Sequence, residues 1–339
     1  MVMKSVLFVC NYKPGVGGIS GQVEILHNKL REEGCIAEIF STNASVWKRL
    51  WMMPKLRRKA GGFDVLHIHC CSGFGGFLPA MMGIRVGKRL GKRVILTYHG
   101  GGGESFFDRH PKSIRAYLTR TDANIVLSGF LARVFEKHQL PYTIIPNIIE
   151  LDESLFRQRN MIQPVFICTR THEGLYNIPC ILRAFQRVQK DVPKASLILV
   201  GDGPQHESLV RQANAMGLKN VVFTGRVQNK QIYDFLGQAD VMLSSPTIDN
   251  MPVSLIEAMN AGLLVISSRV GGVPYMVEDG DNGLLFESNN DEELAEKMIW
   301  VLNHPDDAMD IIKRASSDVK KYSWKQIREK ILALYECEE

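Results

Sequence analysis

Asp249 and Glu257 stand eight residues apart in the run S-P-T-I-D-N-M-P-V-S-L-I-E-A-M, residues 245–259. Pro252 suits the first turn of a helix, which puts Asp249 and Asn250 at or before the helix N-terminus, where free N–H groups face solvent or an anion. Glu257 follows about a turn and a half along that helix. The competing structural reading has Asp249 or Asn250 capping the helix and Glu257 solvated. A second group lies at Thr97-Tyr98-His99, followed by four glycines at 100–103. Glycines in that number favour a loop that approaches a ligand or moves, with His99 at its edge. A third is the loop N-Y-K-P-G-V-G-G-I-S-G, residues 11–21. A glycine loop entering a helix lets backbone N–H groups reach phosphate oxygens at the positive end of the helix dipole. It is not a dinucleotide fingerprint, because Ser20 stands where the third glycine belongs. A tight turn that simply needs glycine explains it as well.

These groups need elements to hold them. Short β-rich runs at 5–10, 36–40, 65–69, 93–98, 123–127 and 143–145 alternate with helix-like stretches, and the alternation resumes at 165–169, 196–200, 221–224, 241–244, 263–267 and 284–286. Strands separated by helices predict parallel sheets of βαβ units, because a parallel neighbour needs a long crossover. The fold class expected is α/β with two Rossmann-like, doubly wound parallel-sheet domains, residues 1–150 and 151–320. In such sheets ligands sit beyond the carboxyl ends of the strands, where all three groups fall. His67 and His69 alternate on one strand face and read as packing residues rather than a metal pair. Asp279-Gly280-Asp281 spells D-x-D but sits in a Gly/Asn turn.

Composition narrows the class. The chain has 339 residues, 45% hydrophobic and 23% charged, which excludes disordered, collagen-like and disulfide-scaffold proteins. Seven cysteines without a C-x-x-C pair fit reduced thiols and a cytoplasmic location. No signal-peptide run or spanning helix is expected. Residues 1–150 carry 21 Lys+Arg against 10 Asp+Glu, a net of +11, and residues 151–339 carry 20 against 26, a net of −6. Basic charge concentrates in W-K-R-L-W-M-M-P-K-L-R-R-K, residues 47–59, with two tryptophans and no acid. That composition suits attachment to an anionic membrane surface, peripheral on the inner face; a solvated basic helix with Trp47 and Trp51 packed inward is the alternative. A nucleic-acid partner is not expected, because the basic clusters lack the stacking aromatics of an RNA platform.

The glycine loop 15–18, Tyr98-His99-Gly100, Ser128 in VLSGFL, IIPN at 144–147, GDGP at 201–204, FTGRV at 223–227, and above all DNMPVSLIEAMNAGLLVISSRVGGVPYMVEDGDNGLLF at 249–286 together resemble family 4 of the retaining glycosyltransferases. The resemblance covers nearly the whole chain. It implies the GT-B architecture of two Rossmann-like domains facing across a cleft, with a C-terminal helix from 321 returning to the first domain. It implies transfer of a hexose-type sugar from a nucleotide-sugar donor to a glycan or lipid-linked acceptor, with retained anomeric configuration and no obligatory metal or other cofactor. The family's paired acids fall on Asp249 and Glu257, giving Asp249, His99 and Glu257 as catalytic candidates. Glu257 would hold the donor ribose, Asp249 would lie near the transferred sugar and His99 would contact that sugar. Gly17, Gly18, Arg170, Asn250, Met251, Val253, Ser254, Glu257 and Arg226 would bind the donor. Two departures stand out: the first acid is Asp rather than Glu, and the family's Arg and Lys correspond here to Arg170 and Tyr176. A nucleotide-sugar epimerase of similar architecture and a catalytically silent sugar-nucleotide-binding protein are the rival readings.

Overall fold

The computed structural model describes residues 4–15, 17–45, 48–49, 51–152 and 155–336, with backbone only at 229 and 230. Trp47 and Leu50 of the basic segment and Cys337 lie outside the described residues. The chain divides into two units, residues 1–150 with 322–339, and residues 151–321.

The first unit is a six-stranded parallel sheet ordered β2-β1-β3-β4-β5-β6, with β1 at Val6–Cys10, β2 at Ala37–Ser41, β3 at Val65–Cys70, β4 at Arg93–Tyr98, β5 at Ala123–Val126 and β6 at Thr143–Ile144. β1 and β3 are buried along their whole length, so they read as unbroken apolar runs rather than alternating ones. The crossovers are α1 (Ile19–Glu32), α2 (Met53–Ala60), α3 (Phe74–Arg89), α4 (Gly103–Arg109), α5 (Pro111–Leu118) and α6 (Gly129–Lys137). The order reverses between β1 and β3, so the loops leaving those two strands open a crevice.

The second unit repeats the plan. Its strands are β7 (Val165–Cys168), β8 (Ser196–Val200), β9 (Val221–Gly225), β10 (Val241–Ser244), β11 (Leu264–Ser268) and β12 (Leu284–Phe286), ordered β12-β11-β10-β7-β8-β9. Counted within the unit this is the 3-2-1-4-5-6 dinucleotide-fold order, and its switch point lies between β7 and β10. The helices are α7 (Ile178–Asp191), α8 (His206–Ala215), α9 (Asn229–Leu236), α10 (Val253–Asn260), α11 (Asp291–Asn303) and α12 (Pro305–Asp318). Phe166, Cys168, Leu197, Leu199, Leu243 and Ile266 share one core with Phe185 and Met298.

The last helix, α13 (Trp324–Tyr335), belongs to the first unit. Ile327, Ile331 and Tyr335 enter the core beside Val6 and Phe8, and Arg328 forks onto both oxygens of Glu33 at 2.6 and 2.8 Å. Among the described residues no helix is long and apolar enough to cross a membrane. In the basic segment Arg49 turns inward and donates to the carbonyls of Ala44 and Gly75, so it is not part of the outer basic surface. Trp51 is the reverse of the inward-packed alternative, being 84% exposed.

Candidate functional site

The loops leaving β7 and β10 meet at the switch point of the second unit and bring Arg170, Tyr176, Asp249, Ser254 and Glu257 to one place. Arg170 stands two residues past β7. Its Nη1 donates to Ser254 Oγ at 2.9 Å, and its Nη2 donates to Asp249 Oδ2. The guanidinium lies over the Tyr176 ring, with Cζ 4.1 Å from the ring centre. Arg170 Nε is buried with no acceptor. A buried charged donor without a protein partner calls for a water or an anion as its acceptor.

Backbone closeness at two glycines makes this arrangement possible. Gly271 has φ +50°, and a Cβ there would fall 2.0 Å from the Asp249 carbonyl oxygen. Gly272 N–H donates to that same oxygen at 3.0 Å. Gly201, at φ +139°, lets the loop after β8 run against the loop after β7, because a Cβ would fall 2.4 Å from the Arg170 carbonyl oxygen. The G-D-G-P turn is therefore part of the support for Arg170.

Asp249 does not cap α10. The residue before the helix is Pro252, at φ −68° and ψ 110°, and no side chain caps the first turn. Proline, expected inside the first turn, stands one position earlier because its fixed φ is equally compatible with the extended entry to the helix. Asp249 Oδ1 instead accepts from the Asn250 N–H at 2.8 Å. In the first turn the Leu255 N–H donates to the Pro252 carbonyl at 3.2 Å, and the N–H groups of Val253 and Ser254 stand ahead of the helix's own ladder. Asn250 and Met251 are buried just ahead of them.

Glu257 is half-buried. Burial pushes its carboxyl up to about 7, with the positive charge of Arg170 pulling the other way. Such a carboxylate changes charge near neutral pH, a property of groups poised for ligand or proton exchange. Arg226 follows β9 and is exposed.

The remaining candidates lie in the first unit. Gly18, at φ +67°, begins α1, and Gly17 precedes it with open space where a Cβ would stand. Ser20, the residue in place of a third glycine, accepts the Lys13 N–H on its Oγ at 3.0 Å and so ties the loop to the helix. At 100–103 the glycines have a local cause: a Cβ at Gly100 would fall 2.3 Å from Ser72 Oγ, and Gly103 already begins α4. The close approach at Gly100 is to the neighbouring loop.

His99 Nε2 lies 2.9 Å from His69 Nδ1, and the two rings stack with centres 5.1 Å apart. His67 bonds Thr97 Oγ1 and the Tyr335 hydroxyl, each at 2.8 Å. His69, one residue before the end of β3, is buried and packs on His99, in keeping with the packing expected of it from the sequence. Burial lowers His99 to about 3, and burial with the charge of His99 lowers His67 to about 3. The unfolded chain takes up these protons near 6.5 while the folded chain stays neutral, so this stability is present above pH 6.5 and is lost as pH falls toward 3. Urea unfolding of the whole protein should show a loss of roughly 1.4 kcal/mol per pH unit per histidine below pH 6.5. His67→Gln should flatten that slope; an unchanged slope would contradict it.

Asp279-Gly280-Asp281 is a turn: Asp279 accepts the Leu285 N–H at 2.8 Å and pairs with Arg269 at 2.9 Å, and Arg314 pairs with Asp281 at 2.8 Å. Among the described residues no three His, Cys, Asp or Glu gather as a metal-ligand group.

Comparison with known proteins adds to this geometry. Residues 155–318 match the family model described as glycosyl transferases group 1, and residues 17–153 match that described as glycosyltransferase family 4. An N-acetyl-alpha-D-glucosaminyl L-malate synthase of Bacillus anthracis is 26% identical over 297 residues, covering 80% of this chain and 73% of the relative. A phosphatidyl-myo-inositol mannosyltransferase of Mycolicibacterium smegmatis is 24% identical over 310 residues, covering 87% and 78%. Among solved structures, HepE of Anabaena in complex with UDP-glucose superposes with a TM-score of 0.77 at 18% identity, covering 98% of this chain and 99% of that one. A sucrose-phosphate synthase from Thermosynechococcus elongatus does so with a TM-score of 0.82 at 18% identity, covering 98% of each chain. At such identities the structural likeness is one of fold.

Proposed function

Because the chain belongs to the group 1 glycosyltransferases of family 4 and is therefore a transferase enzyme of GT-B fold, we propose that it moves a hexose-type sugar from a nucleotide-sugar donor to a glycan or lipid-linked acceptor with retention of anomeric configuration. In that reaction the bond from the sugar's anomeric carbon to phosphate breaks, and the nucleoside diphosphate leaves with the electron pair. A bond to the acceptor oxygen forms at the same carbon, and the proton of that acceptor hydroxyl passes to the departing phosphate. The observation that carries the reading is the Arg170 fork, held by Asp249 and Ser254 beside the start of α10, with Nε without a protein acceptor. Fixed N–H donors aimed at developing phosphate charge need no rearrangement during the reaction. UDP-glucose in HepE and the mannosyltransferase name of the mycobacterial relative support a nucleotide-hexose donor and a lipid-linked acceptor.

Arg170 and the helix N-terminus supply the positive field that a divalent cation would otherwise provide, so the reaction is proposed to need no metal. Proton NMR of the product formed from UDP-glucose, GDP-mannose and related donors should show the donor's anomeric configuration, with the rate unchanged in EDTA. An inverted product, or activity abolished by EDTA and restored by Mg²⁺, would overturn these parts of the reading.

The acceptor side is proposed to meet an anionic membrane on the inner face, which would keep the protein cytoplasmic and peripheral. Trp51 at 84% and Phe74 at 63% exposure stand out beside exposed Lys48, Lys55, Arg57 and Arg58. Each basic group near an anionic leaflet adds about 1 kcal/mol. Flotation with vesicles containing phosphatidylglycerol should recover more protein than with neutral vesicles, and Arg57→Glu with Arg58→Glu should remove the excess. Equal recovery throughout would contradict it.

A further inference from the structure

Tyr176 reaches Arg170 from a separate short element, the 3-10 turn Gly174–Tyr176, and brings no charge of its own. Hydrogen bonds from Ser245 and Thr247 fasten that turn to the loop after β10. Ser245 Oγ donates to the carbonyls of Tyr176 at 3.0 Å and Asn177 at 2.9 Å, and Thr247 N–H donates to the Leu175 carbonyl at 2.8 Å. Asn177 closes the turn in the left-handed conformation, φ 46°, which sends the chain directly into α7. The ring is thus fixed on the same loop that carries Asp249, and it covers one face of a guanidinium whose edges are engaged by Asp249 and Ser254.

A planar guanidinium on an aromatic face gains electrostatic attraction from the ring and loses water from that side. Both effects matter here, because an arginine free to rotate out of its plane would turn Nε away from an anion bound there. We infer that Tyr176 is a positioning residue: its stacked ring locks the Arg170 fork in the plane that presents Nε to the donor diphosphate. The inference rests on the reading of this loop cluster as the donor site. It assigns the work to the ring face rather than to the phenolic hydroxyl, so phenylalanine should replace it and leucine should not. Loss of the stack frees the Arg170 guanidinium from its plane, which weakens its contact with the diphosphate and leaves a nucleoside without phosphate unaffected. The expected cost is roughly three- to thirtyfold in diphosphate affinity.

Calorimetric titration of UDP and of uridine into the wild-type chain, Tyr176→Phe and Tyr176→Leu tests this. Tyr176→Phe should bind UDP within twofold of wild type, and Tyr176→Leu should bind it roughly three- to thirtyfold more weakly with uridine affinity unchanged. In turnover assays with the sugar nucleotide, Tyr176→Leu should raise KM and lower kcat together, since a mispositioned Arg170 serves both the bound diphosphate and the departing one. Tyr176→Leu that binds UDP as tightly as wild type, or Tyr176→Phe as weak as Tyr176→Leu, would overturn the inference while leaving the donor-site reading intact. A wild-type chain that binds neither UDP nor GDP would instead overturn the donor-site reading, and the inference with it.

Discussion

Asp249→Asn is expected to lower sugar transfer by roughly two to three powers of ten while leaving nucleoside diphosphate affinity unchanged or tighter. The side chain has two partners, the Arg170 fork and its neighbour's N–H. Asparagine keeps the shape and one acceptor oxygen but removes the negative charge. If Asp249 acts on positive charge developing at the anomeric carbon, the loss falls on the transition state, and kcat drops without a matching loss of ground-state binding. Binding is expected to hold or improve because the substitution releases Arg170 from a carboxylate that competes with the donor's phosphates. A purely structural role predicts the opposite order. Asp249 does not cap α10, so the tolerance expected of Asp→Asn at a helix cap does not apply. Steady-state kinetics beside calorimetry with UDP separate the two; full transfer activity in Asp249→Asn would end the catalytic assignment.

Glu257→Ala is expected to weaken nucleotide-sugar and nucleoside diphosphate alike, because both carry the ribose that this carboxylate is proposed to hold. Each charge-assisted hydrogen bond lost costs roughly 1.5–3 kcal/mol, or tenfold to more than a hundredfold in affinity. The raised value near 7 adds a pH signature. Donor binding that uses the carboxylate should strengthen as pH rises through 7, and Glu257→Gln should lose that step. Without nucleotide the sign reverses. A carboxyl whose folded value exceeds its unfolded one contributes stability that is fully present below about 4.5 and is lost as pH rises through 7. The ligand-free Glu257→Gln protein should therefore melt higher than wild type above pH 7, by an amount on the order of 1–3 kcal/mol. Identical melting of the two proteins at pH 8, together with a pH-independent donor affinity, would remove Glu257 from the ribose.

All twelve strands were legible because each is a short apolar run between helical stretches, and every strand end lies within one residue of its expected place. Parallel strands buried on both faces leave that trace directly in the residue order. The loops were legible as a set, since βαβ topology sends them to the carboxyl edge. The pairings were not. Arg170 and Asp249 are 79 residues apart, and their meeting depends on β7 and β10 being neighbours across the switch point. Ordinary alternation of strands and helices does not state that order. Tyr176 drew notice only as a departure from the family's lysine, because stacking over a guanidinium has no spacing rule. Arg49 was misplaced on the outer basic surface for a related reason: its partner Gly75, 26 residues away, is set by tertiary register.

The account turns on where the diphosphate of the donor binds, and crystals of the protein grown with UDP, and in parallel with GDP, measure that directly. The predicted result places diphosphate oxygens about 3 Å from Arg170 Nε and facing the first turn of α10, with the ribose hydroxyls on Glu257. A nucleotide bound with its diphosphate away from Arg170, or with its ribose out of reach of Glu257, would contradict it.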